Sequence, residues 1–294
     1  MYFSGNQSRT YSALNQQRRI KRNRGNTMNQ PVKHIDHSVH QNSKSRYLSS
    51  EQVEEFGAKV EQIRRDIMDS IGEKDAAYIY KIRNFVRYSE IASRGMLMFG
   101  GWIPPVWLFG TGLLGVSKIV ENMELGHNVM HGQFDWLNDP SLSGANYDWD
   151  TISTGQDWKY THNYVHHTYT NIVGMDHDVG YGLVRVSEAQ KWEPRFLFNI
   201  PLAIQLMVFF EWYVGIQRLH LEDVLIYKTK TWKEVWKDAT DVRQKIKRQV
   251  VKDYVFFPLI AGPNAIPVFA GNAVANVIRS LWASAVIFNG HFTE

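Results

Sequence analysis

The sequence contains no cysteine among its 294 residues. Disulfide bonds, thiolate-bound zinc, a cysteine nucleophile and a cysteine-held iron–sulfur cluster are therefore excluded for this chain. Any metal ion that it holds must be bound by histidine and carboxylate side chains. A net charge of +4 is a mild excess, which suits a membrane surface or nucleic acid without deciding between them.

The first 47 residues have few aliphatic side chains and are rich in Ser, Asn, Gln, Arg and Lys. Such a segment buries too little apolar surface to offset the entropy of ordering, so we predict a disordered polar and basic tail over 1–47. The basic cluster at 18–24 is not accompanied by a recognised nucleic-acid-binding motif, so we expect no nucleic-acid partner. No apolar run follows Met1, which argues against a signal peptide. Met28 is an alternative start.

A helix is predicted to begin at Ser49, because Gln52 three residues later completes a capping box. Further along, four stretches carry at most one charge each, namely 95–117, 196–217, 254–270 and 272–288. The first has 23 residues, which is long enough to span a bilayer. Several such stretches in one chain favour an integral membrane protein over a soluble one with buried core helices.

Charge placement predicts the topology of these stretches. The basic segments 81–94 and 228–252 should both face the cytoplasm, so an even number of crossings separates them. The glycines and prolines at 100–105 predict the turn of a first hairpin. The stretch 196–217, which contains Glu211, is predicted not to cross, and 254–270 and 272–288 form a second hairpin. We therefore predict an all-α integral membrane protein with about four transmembrane helices in two hairpins.

Two histidine clusters carry the chemistry. Their spacings are H-x3-H at His127 and His131, and H-x3-H-H at His162, His166 and His167. Residues i and i+4 of a helix share a face, so each pair can bind one ion. His167 lies about 100° round the helix from His166 and can face a second ion. The spacing therefore predicts a two-metal arrangement.

Other interpretations of these histidines remain open at this point. They could be ordinary surface or core histidines, or the ligands of a bis-histidine haem. Zinc hydrolysis is disfavoured because neither pair encloses the glutamate of the zinc-protease pattern. All-imidazole ligation suits Fe, Zn, Cu or Ni.

Three further histidines lie outside the two clusters. His291 follows the last apolar stretch and is a sixth candidate ligand, which requires it to lie on the same side of the membrane as the clusters. His177 stands in a polar loop between Asp176 and Asp178, either of which could orient a metal-bound imidazole. His220 is predicted to be structural.

The segments GHNVMHGQ (126–133) and HNYVHHTYTN (162–171) resemble the membrane-bound fatty acid desaturase family. The resemblance runs from about residue 81 to residue 291 and is closest to bacterial desaturases of acyl-CoA or acyl-lipids. By motif, the first histidine box matches His127 and His131 and the second matches His162, His166 and His167. His291 matches a lone histidine that follows the last span in part of the family.

The resemblance implies a cytosolic helical cap and a di-iron centre held by the histidine boxes. It implies O2-dependent insertion of a double bond into a long acyl chain linked to CoA or lipid. Electrons would come from a ferredoxin, rubredoxin or cytochrome b5-like donor with its reductase. The location implied is the inner or plasma membrane of a bacterium, with the active site on the cytoplasmic side. The acyl chain requires a narrow apolar tunnel beneath the site, which the 10 Trp, 14 Tyr and 15 Phe could line.

One departure concerns the family's third box, H-x2-H-H or Q-x2-H-H beyond the last span, which this sequence does not contain. We therefore expect residues 48–294 to be a desaturase domain that is incomplete at its C-terminus, and the activity of this chain remains open. The alternatives are a related membrane di-iron hydroxylase and a truncated, non-catalytic membrane fragment.

Overall fold

The computed structural model describes residues 49–291, so the predicted tail 1–47 lies outside the described residues. Every regular element in the described range is helical, which confirms the all-α fold class. The described residues fall into two units, which are divided between residues 70 and 71. Each unit is described by itself.

The described part of the first unit is helix α1, Ser50–Ser70. It begins where the sequence predicts, because the backbone N–H of Gln52 donates to Ser49 Oγ at 3.2 Å and that of Ser49 donates to Gln52 Oε1 at 2.9 Å. None of its side chains is buried. It ends before Gly72, whose N–H donates to Asp75 Oδ2 at 3.0 Å and caps the next helix.

The second unit contains the remaining helices. Its α-helices are α2 (Glu73–Gly100), α3 (Pro104–Val120), α4 (His127–Met130), α5 (Gly155–Trp158), α6 (His167–Tyr169), α7 (Asn199–Val208), α8 (Phe210–Ile216), α9 (Glu222–Leu225), α10 (Trp232–Asp238), α11 (Thr240–Val251), α12 (Phe257–Ile260) and α13 (Ala265–His291). Its π-helices are Glu121–Gly126, Lys159–His166 and Lys252–Phe256. Its 3-10 turns are Asp135–Leu137, Pro140–Leu142, Gly180–Gly182, Pro194–Phe198, Gln217–Leu219 and Gly262–Asn264.

Helices α2 and α3 form a hairpin that turns at 101–103, within the predicted segment 100–105. Pro104 starts α3, where a missing N–H costs nothing because the first N–H groups of a helix have no intrahelical partner. The helices approach closely at Gly110, where a Cβ atom would lie 3.0 Å from Met96 Cβ. Sequence patterning therefore located this turn correctly.

The second hairpin differs from the prediction. The sequence divided the two stretches at residue 271, with Pro263, Pro267 and Gly271 as the residues that separate or bend them, but α13 runs through Gly271 without interruption. The chain turns instead at 261–264, where Gly262 adopts a φ of 55° and Pro263 follows it. Pro267 lies in the first turn of α13, where proline is tolerated. Gly271 serves packing, since a Cβ there would lie 3.0 Å from both terminal methyl groups of Leu97.

The turns of the two hairpins lie together at one end of the unit. Trp102 Nε1 donates to the carbonyl oxygen of Pro263 at 2.9 Å, and Trp107 Nε1 donates to that of Pro267 at 2.9 Å. An apolar cluster continues from there between α2, α3 and α13, and its buried members include Leu97, Leu114, Val268 and Ala275.

The predicted single helix over 196–217 is bent. The helical segment Pro194–Val208, which includes α7, and the segment Phe210–Leu219, which includes α8, meet at Phe209. The angle between the two segments is 85°. Within residues 49–291 no single helix is both long and apolar enough to cross a membrane, whereas this bent pair meets the requirement by length and composition alone.

Buried ion pairs connect the helices on the far side of this apolar cluster from the turns. Lys118 Nζ on α3 lies 3.0 Å from Asp253 Oδ2 and 3.2 Å from Asp150 Oδ2. Arg94 on α2 contacts the other oxygen of Asp253 at 3.2 Å. Arg279 on α13 pairs with Glu211 on α8. The pairs with Asp253 therefore connect α2 to α3, and the pair of Arg279 with Glu211 connects α13 to α8.

Candidate metal centre

The two histidine boxes both occur where an α-helix widens into a π-helix. Helix α3 continues through the π-helical Glu121–Gly126 into α4, which begins at His127. Helix α5 continues through the π-helical Lys159–His166 into α6, which begins at His167. Such π-turns are frequent at functional sites. The i,i+4 argument from sequence assumed uninterrupted α-helices and missed this feature.

Three histidines from the two boxes form a first group. His127 Nε2 and His131 Nε2 are 3.1 Å apart. The ring centroid of His162 lies 5.1 Å from that of His127 and 5.3 Å from that of His131. One nitrogen from each ring lies within 4.8 Å of the others, so these three side chains can share one ion.

A second group adjoins the first and contains His162, His166 and Asp178. The His162 and His166 rings stack with centroids 5.1 Å apart. The His291 ring lies 4.6 Å from that of His166, and the His167 ring lies 4.9 Å from that of His162. All six histidines selected from the sequence therefore lie in one cluster, which we call the six-histidine cluster.

The structure adds two features to the grouping that the spacing argument gave. That argument assigned His166 to one ion and His167 to the other. In the structure His162 belongs to both groups and Asp178 joins His166. The sequence considered Asp178 only as an orienting residue, because nothing in its loop position shows which oxygens reach the cluster. The ligand assignment of the six histidines remains a prediction.

Asp176 orients one imidazole of the cluster. The buried His166 Nδ1–H donates to Asp176 Oδ2 at 2.9 Å. Asp176 is held in turn by the backbone N–H groups of Asn171 and Asp178, at 2.9 and 3.0 Å. This bond assigns the proton to Nδ1, which leaves the lone pair of Nε2 free for a metal. The same bond, with the nearby charge of Asp178, raises the pKa of His166 despite burial.

Four other histidines of the cluster have a lowered pKa and favour the neutral form, namely His127, His131, His162 and His291. Burial is the main cause and lowers the pKa of His127 to about 4, with smaller contributions from His131 and His167. Burial and neighbouring imidazoles also lower the pKa of His162, and burial lowers that of His291. Neutral imidazoles have the lone pair that metal coordination requires.

The donor set fits a pair of transition-metal ions. Six imidazoles and a carboxylate converge without a thiolate, and burial keeps the His127 ring free of a competing proton at neutral pH. This chemistry suits iron, zinc or copper rather than magnesium or calcium, which prefer all-oxygen sites.

An apolar cavity of about 300 Å³ opens beside the cluster. His127, His162 and His291 form part of its wall. Its aromatic lining consists of Trp149, Trp158, Tyr181 and Phe210. The buried Arg279 and Glu211 pair also lines it. The cavity matches the aromatic-lined space expected for an acyl chain.

The two other histidines considered from sequence lie elsewhere. His177 faces away from the cluster and bonds to Glu222 Oε1, with 2.9 Å between the atoms. His220, predicted to be structural, contacts the same oxygen at 3.2 Å. Glu222 carried no sequence signal, since His177 lies 45 residues away in the chain and the spacing of His220 and Glu222 alone indicates no shared site.

Comparisons with known proteins show which family this sequence matches. The family model for fatty acid desaturases matches residues 101–294. An NADPH-dependent stearoyl-CoA 9-desaturase of Mycobacterium tuberculosis is 44% identical over 253 residues, which are 84% of this chain and 58% of that relative. An sn-1 linoleoyl-lipid 6-desaturase of Arthrospira platensis is 23% identical over 232 residues, 77% of this chain and 62% of the relative.

A second sn-1 linoleoyl-lipid 6-desaturase, from Synechocystis sp., is 35% identical over 99 residues, 32% of this chain and 27% of the relative. The chain therefore spans less than two thirds of the length of these relatives. No solved structure matches it significantly. With two thirds of its length matched by the family model and both histidine boxes in one cluster, the chain belongs to the fatty acid desaturase family.

Proposed function

We propose that this protein is an O2-dependent fatty acyl desaturase that introduces a double bond into a long acyl chain linked to CoA or lipid. The observation that carries the proposal is the convergence of six imidazoles in one cluster, three of which line an aromatic-lined cavity. The names of the relatives, a stearoyl-CoA and two linoleoyl-lipid desaturases, support this substrate class.

In this proposal the six histidines would hold two iron ions. His127, His131 and His162 would hold one, and His166 and Asp178 would hold the other, with His162 adjoining both groups and His167 and His291 beside them. Iron supplies the capacity to reduce O2 and to remove hydrogen from an unactivated C–H bond. The protein's own part is to keep His127 neutral by burial and to orient His166 through Asp176.

The cavity positions the acyl chain. Trp149, Trp158 and Phe210 provide an apolar lining, which binds methylene groups and excludes water from the reacting carbon atoms. Because an acyl chain lacks polar groups along its length, its position against the histidines is determined by the shape of the cavity. Electrons would come from an external ferredoxin, rubredoxin or cytochrome b5-like donor, and the NADPH-dependent relative supports a reductase in that chain.

The proposed location is the inner membrane of a bacterium, with two helical hairpins inserted and the six-histidine cluster on the cytoplasmic side. Helices α3 and α13 begin at the paired turns and lead to His127 and His291. At 1.5 Å per residue both histidines lie about 35–39 Å from the turns, slightly more than the roughly 30 Å hydrocarbon thickness. Exposed apolar side chains near the turns support insertion of this end, among them Phe99, Trp102, Leu259 and Ile266.

The absence of cysteine permits a direct test of this topology. Ile103→Cys introduces a thiol at the first turn, and Lys233→Cys introduces one in the basic loop; both positions are exposed. A membrane-impermeant maleimide should label only the first in intact cells and only the second in inside-out vesicles. Labelling of both from the same side contradicts the proposed topology.

The activity is tested by supplying the purified protein, in lipid, with acyl-CoA, O2 and a reductase–ferredoxin pair. We expect an alkene product, about two iron atoms bound per chain, and loss of the product in His166→Ala. Tyr164→Phe is the matched control, because Tyr164 lies in the same π-helix with an exposed side chain. An alcohol product would instead support a hydroxylase, and iron content near zero would support a non-catalytic fragment. Full activity in His166→Ala would refute the assignment.

A further inference from the structure

A second group of metal-ligating side chains consists of His177, His220 and Glu222, none of which belongs to the six-histidine cluster. One ligand atom of each lies within 4.8 Å of the other two. Glu222 Oε1 is 2.9 Å from His177 Nε2 and 3.2 Å from His220 Nδ1. The imidazole planes are nearly perpendicular, at 88°, and their centroids are 5.2 Å apart. Three donors from two separate segments therefore converge on one small volume.

The spacing of these donors is close to that of a tetrahedral zinc site. Zinc binds imidazole nitrogen and carboxylate oxygen at about 2.0–2.2 Å, which separates neighbouring ligand atoms by about 3.3 Å. The two contacts to Glu222 are within about half an ångström of this value. Small side-chain rotations can provide that difference. Two imidazoles and one carboxylate are a donor set that zinc sites use, with water as a further ligand.

The backbone around the group leaves room for an ion. Gly182 has a φ of 67°, and a Cβ atom there would lie 3.4 Å from Glu222 Cδ and 3.5 Å from His177 Nε2. No side chain of residue 182 therefore fills the space beside the donors. A cavity of about 550 Å³, lined in part by His177 and Glu222, gives access for solvent.

The backbone of His220 has an unusual conformation. Its φ of 49° and ψ of 57° lie in the left-handed region, which residues other than glycine adopt infrequently. Such a conformation persists only where its surroundings require it, and it brings Nδ1 to Glu222.

We propose that His177, His220 and Glu222 form a second, structural metal site that binds Zn²⁺. The ion connects the loop that contains His177 to the segment that contains His220. Gln217 Nε2 already donates to Asp178 Oδ1 at 2.6 Å between the same two segments. Because the loop also contains Asp176, which orients His166, the zinc site braces one wall of the six-histidine cluster. The proposed zinc binding does not depend on desaturase activity.

The test measures zinc and iron together in the full chain by mass spectrometry after Zn²⁺ titration of the iron-loaded protein. We expect the unaltered chain to bind one more Zn²⁺ than Glu222→Gln, or to bind it about tenfold or more tightly. Asp223→Asn is the matched control, since it removes the same charge from the adjacent residue, which is outside the group. It should bind zinc as the unaltered chain does.

A second variant guards against misfolding of the first. His220→Asn removes the Nδ1 ligand while asparagine tolerates the left-handed conformation, so the backbone is kept and zinc should still be lost. Equal zinc in the unaltered chain, Glu222→Gln and His220→Asn would mean that the three side chains form only a hydrogen-bonded group, and this overturns the proposal. If the unaltered chain binds more zinc than the two variants but binds no iron, the zinc site is supported and the di-iron centre is contradicted.

Discussion

Asp176 is the residue on which the orientation of His166 depends. It accepts the Nδ1–H of His166 and is itself held by two backbone N–H groups. Asp176→Asn keeps the size of the side chain but loses the charge and can offer an N–H in place of the acceptor. We expect iron affinity to fall about 10–100-fold. Iron retained per chain during dialysis against a chelator measures this, with the exposed Asp241→Asn as the control. Unchanged iron retention would contradict an orienting role.

The buried histidines predict how the stability of the metal-free chain changes with pH. The pKa of His127 is about 4 in the folded protein and about 6.5 in a model peptide. Between these values the unfolded chain binds more protons than the folded one, so the free energy of unfolding falls as pH drops from about 6.5 to about 4.

Chemical denaturation of the metal-free chain across this pH range measures that change. The His127→Gln variant should show a weaker pH dependence, because one of the groups responsible is removed. His220→Gln is a suitable comparison, since His220 lies outside the six-histidine cluster. An identical slope in the unaltered chain and His127→Gln would contradict burial of a neutral imidazole at residue 127.

At the scale of elements, glycines determine how closely the long helices pack. A Cβ atom at Gly271 would lie 3.0 Å from both terminal carbons of Leu97 and 3.1 Å from Thr111 Oγ1, whereas one at Gly112 meets nothing within 4 Å. Gly271→Ala should therefore destabilise the protein by about 1–3 kcal/mol through overpacking. Gly112→Ala should be neutral or stabilising by about 0.5–1 kcal/mol, because alanine favours the helix.

Denaturation of both glycine variants in the same detergent or lipid measures this difference. Opposite signs are the expected result, and they would show that α13 packs against α2 and α3 through residue 271. Equal effects of the two substitutions would contradict that close approach.

The π-helices Glu121–Gly126 and Lys159–His166, which adjoin the histidine boxes, are the other feature at this scale. Each widened turn lies immediately before or within a histidine box, and it changes the angular relation that i,i+4 spacing has in an α-helix. The spacing therefore indicated that His162 and His166 lie together, but it gave no sign that His162 also adjoins His127 and His131. Hydrophobic and histidine periodicity contains no signal for a single inserted residue in a helical turn.

At the scale of the whole molecule, one buried lysine joins three parts of the chain. Lys118 contacts Asp150 in a loop and Asp253 in the π-helix after α11. Lys118→Met leaves both carboxylates without this partner, and breaking a buried ion pair in this way costs about 3–5 kcal/mol.

The control for this prediction is Lys59→Met, which removes an exposed pair with Glu55 on α1. Exposed pairs contribute about 0–1 kcal/mol. Thermal unfolding of the two variants measures the contrast, and a change at Lys118 as small as that at Lys59 would show that the buried network does not hold the helices together.

The sequence alone determined the donor types of the candidate metal centre and some of the local structure. The absence of cysteine and the two histidine boxes specified the donor types, since donor chemistry is a property of the residues themselves. The capping box at Ser49 and the proline at residue 104 determined where helices begin, because both act through local hydrogen bonding.

The tertiary structure decided which side chains meet. It made Asp178 a neighbour of His166, placed the second turn at 261–264 rather than at residue 271, and brought Glu222 to His177. These outcomes depend on contacts between residues far apart in the chain, and on whether a glycine is used for a turn or for close helix packing. Neither is written in local sequence, because the same residue types satisfy both alternatives until the helices are packed.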